Sequence, residues 1–316
     1  MTSDAARTPP FAMPPYTRVL IPLDGTPEAA QALLPAAALS SDPVTRLETI
    51  TVAQPASTPE KMSRIDAQLR STGVDVDRRI VTWRDEPVAD LVARTLQEDE
   101  DAATSTLIVA ASHSGSRLGA LRMSFTERVL RSGGGPLLLV GAEYRRAPIP
   151  GGGVLLVAVS DPVLDRPLGT LVAAWADCYG FEVEFIHVDE TATVTSIVTA
   201  GAYQENRRRI KESERLATEV SELIGSPVEF TRVADHDAAR GIISRAEQED
   251  VALIVMSSHT RSALAQAALG SIAIEVLNHA PCGVLLLRPE SQLRQSVDPT
   301  QRQSSASAPV GREVGT

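Results

Sequence analysis

The chain alternates short apolar runs with longer amphipathic stretches, which predicts strands and helices following one another along most of its length. Runs that are apolar at nearly every position favour strands buried on both faces, as in a parallel sheet covered by helices. The predicted strands are Tyr16–Leu23, Thr45–Val52, Val74–Trp83, Thr106–Ala111, Pro136–Val140, Val154–Val159, Phe181–Val188, Val228–Val233, Val251–Met256 and Val284–Leu287. Strands that alternate with helices imply right-handed crossovers and a parallel sheet.

The stretches between these strands carry apolar residues at helical spacing. The predicted helices are Pro27–Leu39, Glu60–Ser71, Glu86–Gln97, Ser124–Arg131, Leu164–Tyr179, Ala202–Ile224, Asp237–Gln248 and a last one through Ile272–Leu277. Pro27 suits the first turn of a helix. Pro35 lies inside the same pattern, so the first helix is predicted to kink or split there.

The order of elements occurs twice along the chain. Leu107–His113 aligns with Leu253–His259 at an offset of 146 residues, and Val129-Leu130 aligns with Val276-Leu277 at 147. Two domains of one kind are therefore predicted. Their bounds are 17–141 and 153–288, with a linker at 142–152, a disordered arm at 1–16 and a disordered tail at 289–316.

Composition narrows the class of protein. The 316 residues are 43% hydrophobic but only 3% aromatic, so the core consists mostly of Val, Leu, Ile and Ala. A formal net charge of −10 argues against a nucleic-acid-binding body, which needs a basic face. No apolar stretch has the form of a signal peptide or a spanning helix, so no membrane partner and a cytoplasmic location are expected. The two cysteines, Cys178 and Cys282, have no metal-binding spacing, and no metal site is expected.

The stretch Val251–Leu287 carries the most specific pattern. An apolar strand is followed by a polar loop, then by Gly270-Ser271, a helix and a last strand. This stretch resembles the C-terminal half of a universal stress protein domain, and the repeat resembles the tandem form of that family. The family's loop usually has the form G-x2-G-x9-G-[ST]. The spacing holds here, but Ser257 and Thr260 replace the first two glycines.

The resemblance implies an α/β fold with two tandem Rossmann-like (adenine nucleotide α-hydrolase-like) domains. Each would be a five-stranded parallel sheet with helices on both faces. It also implies intramolecular pairing of the two domains through their last strands, Pro136–Val140 and Gly283–Leu287, which would cover two exposed sheet edges. The ligand implied is ATP or another adenine nucleotide, held at the carboxyl ends of the strands.

Carried onto the first domain, the resemblance makes Asp24 the ribose contact, Val52 the adenine contact and Pro22 part of the same strand ending. Ser114 and Ser124 fall on the loop positions. The alternative for Asp24-Gly25-Thr26 is an ordinary turn before a helix, which its composition also favours.

In the second domain, Val188 takes the adenine position. Asp161 takes the position of Gly25, so it reaches the site only if the strand end shifts by one residue. The loop and helix start supply the remaining candidates, Ser257, Ser258, His259, Thr260, Gly270 and Ser271. Gly270-Ser271 can present backbone N–H groups to an anion, and the alternative is an ordinary capped helix.

Two functions of different classes follow. The first is a stress-response regulatory protein that binds an adenine nucleotide and signals the bound state to a protein partner. The second is a nucleotide-free protein that acts through protein–protein contact. Five of the six loop-glycine positions depart from the family pattern, and these are Ala111, Ser114, Met123, Ser257 and Thr260. No catalytic residue stands out, so an enzyme is not predicted, although weak ATP hydrolysis and a homodimer stay open.

Overall fold

The structure, a computed structural model, describes residues 16–40, 44–52, 58–82, 88–97, 105–112, 129, 136–146, 152–161, 165–166, 168–190, 200–248, 250–257 and 270–287. The predicted arm before Tyr16 and the predicted tail at 289–316 lie outside these residues. The predicted helix Ser124–Arg131 is represented in them by Val129 alone.

The described strands match the predicted ones closely. They are β1 Arg18–Pro22, β2 Arg46–Val52, β3 Arg78–Thr82, β4 Thr106–Ala111, β5 Leu137–Val140, β6 Val154–Ala158, β7 Glu182–Asp189, β8 Val228–Ala234, β9 Val251–Ser257 and β10 Gly283–Leu287. β4, β5, β9 and β10 are buried at nearly every position, as continuous apolar runs require.

The described helices lie between these strands. They are α1 Pro27–Ala30, α2 Leu33–Leu39, α3 Thr58–Thr72, α4 Val88–Gln97, α5 Leu168–Tyr179, α6 Ala200–Ile224, α7 Ala238–Ala246 and α8 Ser271–His279. The predicted helix Pro27–Leu39 is split, as Pro35 indicated, but the break lies at Gln31-Ala32 rather than at the proline. The reason is that Pro35 has no N–H to donate to the carbonyl of Gln31, one turn earlier.

All ten strands belong to one sheet with the order β3-β2-β1-β4-β5-β10-β9-β6-β7-β8. We call β1–β5 with their helices the N-terminal half and β6–β10 with theirs the C-terminal half. Within each half the strands are parallel and follow the same doubly wound order. The fold class predicted from the sequence is confirmed, with the two predicted sheets continuous as one.

The halves join edge to edge. β5 and β10 pair in antiparallel fashion, with Leu138 opposite Leu285. The strands predicted to meet therefore do meet, and neither leaves an unpaired edge in the middle of the sheet.

The strand ends of the two halves make equivalent hydrogen bonds. Leu23 N–H donates to the Ile50 carbonyl at 2.9 Å, and Val159 N–H donates to the Ile186 carbonyl at 3.1 Å. Each residue of the second pair lies 136 positions after its counterpart in the first pair. At that offset Asp24 corresponds to Ser160, and Val52 corresponds to Val188.

Aromatic side chains are concentrated where the halves face each other. Tyr16, Trp175, Tyr179 and Phe181 form a continuous row, with ring centroids 5.8, 5.0 and 6.1 Å apart. Trp175 Nε1 donates to the Tyr16 hydroxyl at 3.3 Å, and the Tyr179 hydroxyl donates to the Leu39 carbonyl at 3.0 Å. Tyr16, predicted both as the last residue of the arm and as the first residue of the first strand, is buried in the core, with only 2% of its surface exposed.

Candidate functional site

Strand order reverses between β1 and β4 in the N-terminal half and between β6 and β9 in the C-terminal half. In open α/β sheets, ligands bind beyond the carboxyl ends of the strands at such switch points. The described candidates fall at these ends. Pro22 and Val52 end β1 and β2, Val188 lies one residue before the end of β7, and Ser257 ends β9.

In the N-terminal half, Asp24 takes part in a local turn. Its Oδ1 atom accepts from the Thr26 N–H at 2.9 Å and from the Thr26 hydroxyl at 2.6 Å. Thr26 in turn caps α1 by accepting from the Ala29 N–H at 3.2 Å. This is the turn and helix start that the residue types favour, and the carboxylate that would contact a ribose is engaged in it.

The strand end that would contact adenine in this half is also engaged. Lys61 Nζ, on α3, donates to the Val52 carbonyl at 3.0 Å. The same helix lies directly over Gly25, which has φ +83°, and a Cβ at this position would be 3.3 Å from the Lys61 carbonyl oxygen. Lys61 was not singled out from the sequence, since its partner lies on another element and no local pattern links the two.

In the C-terminal half, the register of the strand ends is unshifted, so Asp161 stays at the position of Gly25 and Ser160 at that of Asp24. The hydrogen bond with Glu205 raises the pKa of Arg208, and the charges of Glu205, Glu212 and Asp161 add to this effect. The charge of Asp161 therefore acts on Arg208, which lies on α6. Val188 is partly buried against α7, since a Cβ on Gly241 would lie 2.9 Å from its Cγ2 atom.

A buried carboxylate that the sequence analysis did not identify holds the strand ends together. Asp165 is fully buried, and its Oδ2 atom accepts from the N–H groups of Ser160 at 3.0 Å and Asp161 at 3.1 Å. Its Oδ1 atom accepts from the Ser257 hydroxyl. The serine that replaces the first loop glycine is therefore bonded to a carboxylate 92 residues earlier.

At the same edge, the start of α8 has N–H groups that find no partner within the helix itself. Gly270 is the N-cap residue, and no side chain caps the helix. The Gly270 carbonyl accepts from Ile274, so the N–H groups of Ser271, Ile272 and Ala273 have no partner within the helix. Gly270 and Ser271 are exposed. The combination of N–H groups without an intrahelical partner and the helix dipole favours an anion.

Five candidates from the sequence lie outside the described residues. They are Ser114, Ser124, Ser258, His259 and Thr260.

A second polar cluster lies at the end of β7, on the side covered by α6. Asn206 Nδ2 donates to Asp189 Oδ1 at 2.7 Å, and Arg232 pairs with Asp189. Because Asn206 donates through its nitrogen, its Oδ1 atom accepts from His187 Nε2 at 3.3 Å, which assigns the His187 proton to Nε2. His187 is buried, with 4% of its surface exposed.

Among the described residues we find neither a metal site nor an activated nucleophile. Among them, no group of three or more His, Cys, Asp or Glu side chains could hold a metal ion. Burial raises the pKa of the Cys282 thiol to about 12, so it stays protonated at neutral pH and is a poor nucleophile. Nor does any described helix have the length and apolar character to cross a membrane.

Doubly wound strand order with candidate ligand groups at the switch points defines an α/β protein of the Rossmann-like class. Comparison with known proteins refines this class. Residues 154–288 match the model of the universal stress protein family. The matched residues are those of the C-terminal half, from β6 to β10.

A curated relative from Thermus aquaticus, "Universal stress protein in QAH/OAS sulfhydrylase 3′ region", is 34% identical over 82 residues. That match covers 26% of this chain and 60% of the relative, so the chain spans less than two thirds of the relative's length.

Solved structures extend the fold similarity to both halves. A universal stress protein from Archaeoglobus fulgidus aligns with a TM-score of 0.60 at 15% identity, over 86% of this chain and 96% of its own. A protein of unknown function from Pseudomonas aeruginosa PAO1 aligns with a TM-score of 0.55 at 17% identity, over 89% of this chain and 95% of its own. These similarities establish the shared fold.

Proposed function

We propose that this protein is a stress-response regulatory protein whose C-terminal half binds an adenine nucleotide, ATP or a related one. The observation that carries the proposal is the start of α8, where Gly270 leaves helix N–H groups without a side-chain cap at the carboxyl edge of the sheet. The family match over residues 154–288, which include this helix, supports it. The role proposed is binding, with the bound state signalled to a protein partner, rather than catalysis.

We further propose that the N-terminal half is a second domain of the same kind whose nucleotide site is closed. Lys61 engages the Val52 carbonyl, and Asp24 is engaged by Thr26. The sequence adds Met123 at the position where the family has the helix-entry glycine. Each departure removes one contact that an adenine nucleotide would need, so the two halves divide into a binding half and a structural half.

The substitution Gly270→Asp tests the binding half. An aspartate at the N-cap would bond the free N–H groups of α8 itself, so the helix should gain stability while a phosphate loses its donors. The extended backbone at Gly270, φ −62° and ψ 153°, accepts an L-residue, and no atom of the described residues lies within 4 Å of a Cβ there. We expect titration of the full chain with ATP and AMP to show binding that Gly270→Asp weakens at least tenfold.

Two further variants serve as controls. Gly152→Asp introduces the same charge in the linker, again with open space around the Cβ, and should leave binding unchanged. Asp24→Ala should also leave it unchanged if the N-terminal half is closed. Binding that disappears in Asp24→Ala and survives in Gly270→Asp would move the site to the other half. Wild-type protein that binds neither nucleotide at millimolar concentration would refute the proposal.

The bond between Asp165 and Ser257 favours a second candidate function, a nucleotide-free protein that acts through protein–protein contact. It places a carboxylate at the loop position where the family has a glycine and joins two strand ends directly. This candidate predicts an empty protein as purified. Denaturation followed by mass spectrometry of the released small molecules distinguishes the two, since a co-purifying adenine nucleotide supports only the first.

A further inference from the structure

The Asp165 carboxylate occupies hydrogen-bond donors that a ligand at this edge could otherwise use. Two successive backbone N–H groups, those of Ser160 and Asp161, point to one of its oxygens, and the Ser257 hydroxyl points to the other. Successive N–H groups that converge on one point form the kind of concavity in which proteins hold anions. In this half, an internal carboxylate is the anion held there.

The N-terminal half carries no charge at the two positions equivalent to Asp165 and Ser257. At the strand-end offset of 136 residues, Asp165 corresponds to Ala29. At the loop offset of 146 residues, Ser257 corresponds to Ala111, and both alanines are buried. Carboxylate and hydroxyl are therefore present together in one half, and alanines stand at both positions in the other. The pair is a feature of the half in which we place the nucleotide.

A fully buried charge acts strongly on its surroundings. Water and salt screen it poorly, so its repulsion of a nearby ligand charge exceeds that of a surface carboxylate. Each phosphate added to an adenine ligand brings more negative charge to the same edge of the sheet. The carboxylate should therefore penalise ATP more than AMP.

We propose that Asp165 is a specificity-determining residue of the C-terminal half, where its buried carboxylate selects adenine ligands with few phosphates over ATP. This inference rests on the proposed nucleotide-binding function and deepens it. Asp165 acts through its charge and through the donors that it occupies, with Ser257 as the hydroxyl that holds it in place.

Asp165→Asn is a close test because it removes the charge and keeps the shape. The amide oxygen can accept from both N–H groups, and the amide nitrogen can donate to Ser257, whose hydroxyl also accepts. If the asparagine variant fails to fold, Asp165→Ser provides a second neutral side chain with an acceptor oxygen. Glu182→Gln neutralises an exposed carboxylate at the opposite end of β7 and serves as the control.

The measurement is the ratio of the dissociation constants for ATP and AMP, obtained by calorimetry on the full chain at low ionic strength. We expect a ratio above one in wild type and in Glu182→Gln, and a ratio about tenfold lower in Asp165→Asn. If Asp165 had a purely structural role, Asp165→Asn would weaken the binding of ATP and AMP equally. The ratio of the two dissociation constants would then stay unchanged, which would overturn the inference. The proposed function would survive that result, whereas protein that binds neither ligand would overturn both.

Discussion

At the level of single residues, one glycine limits how closely the two halves of the sheet approach each other. Gly141 directly follows β5 and is buried against α8 of the other half. A Cβ built on it would lie 1.8 Å from the Leu277 carbonyl oxygen, which is backbone and cannot rotate away. Any side chain at this position forces β5 and α8 apart.

We predict that Gly141→Ala destabilises the protein by about 2–3 kcal/mol or more, since overpacking against backbone must be relieved by movement. Urea unfolding followed by circular dichroism measures this loss. Gly201→Ala is the matched control, because nothing lies within 4 Å of a Cβ at that position in α6. It should be neutral or stabilise by up to about 1 kcal/mol through helix propensity. Equal unfolding midpoints for the two variants would contradict the close approach.

At the level of elements, ion pairs and hydrogen bonds to backbone carbonyls hold the C-terminal end of α7 in place. Arg245 donates to Glu184 Oε1 at 3.1 Å on β7 and to both oxygens of Asp250 at 3.0 Å. Arg146 of the linker donates through Nη1 to the carbonyls of Ala246 at 3.1 Å and Val251 at 2.9 Å. The helix is thus tied both to its own sheet and to the segment that leads from one half to the other.

We predict that Arg245→Leu costs about 3–5 kcal/mol, because Glu184 is only 2% exposed and would keep a buried charge without its partner. Replacing Glu184 with leucine in the same chain should recover most of that loss. Thermal or urea unfolding of both variants gives the comparison. If the double variant were as unstable as the single one, the loss would have come from packing rather than from the unpaired charge.

Through Asp250, Arg245 also makes the stability of the protein depend on pH. Its hydrogen bonds hold the pKa of Asp250 below the ordinary value near 4. Asp250 therefore contributes stability above about pH 4, and this contribution is lost as the pH falls through the lowered folded-state pKa. The contribution is below about 1 kcal/mol, since the Asp250 side chain is half exposed. Carboxyl NMR titration of Arg245→Leu should show the Asp250 pKa move up towards its ordinary value.

At the level of the whole molecule, the halves are held by the β5–β10 pair and by the row of aromatic rings. Aromatic residues make up only 3% of the chain, yet four of them line this junction. Trp175 is fully buried and Tyr16 nearly so. Large rings remove much apolar surface from water per residue, so a few of them contribute a large share of the contact.

We predict that Tyr16→Ala lowers the free energy of unfolding by about 3 kcal/mol or more, as expected for truncating a buried aromatic side chain. Tyr203→Ala is the control, because Tyr203 is 51% exposed and its loss should cost about 0.5 kcal/mol or less. Unfolding monitored by far-ultraviolet circular dichroism distinguishes them. A Tyr16 variant as stable as the Tyr203 variant would mean that the residues before β1 contribute little to the core.

Much of the fold could be predicted from local pattern and from the internal repeat. Buried strands give continuous apolar runs and helices give a period near 3.6 residues, so the order of elements is encoded by each segment itself. The placement of Asp161 at the position of Gly25 predicted which strand ends are equivalent, and the hydrogen bonds of Leu23 and Val159 agree with it. Pro35 predicted that the first helix is split, although the break lies one turn earlier than the proline, at Gln31-Ala32.

The chemistry of the strand ends was decided by tertiary structure. Asp165 meets Ser257 across 92 residues, and Trp175 meets Tyr16 across 159. Local periodicity reports which face of an element is buried, but it carries no information about which residue of a distant element lies opposite. The sequence alone determined the strands, the helices and their repeated order, since these depend on neighbours along the chain. Only the folded chain decided which polar groups pair at the site, because those partners come together through the crossovers of the sheet.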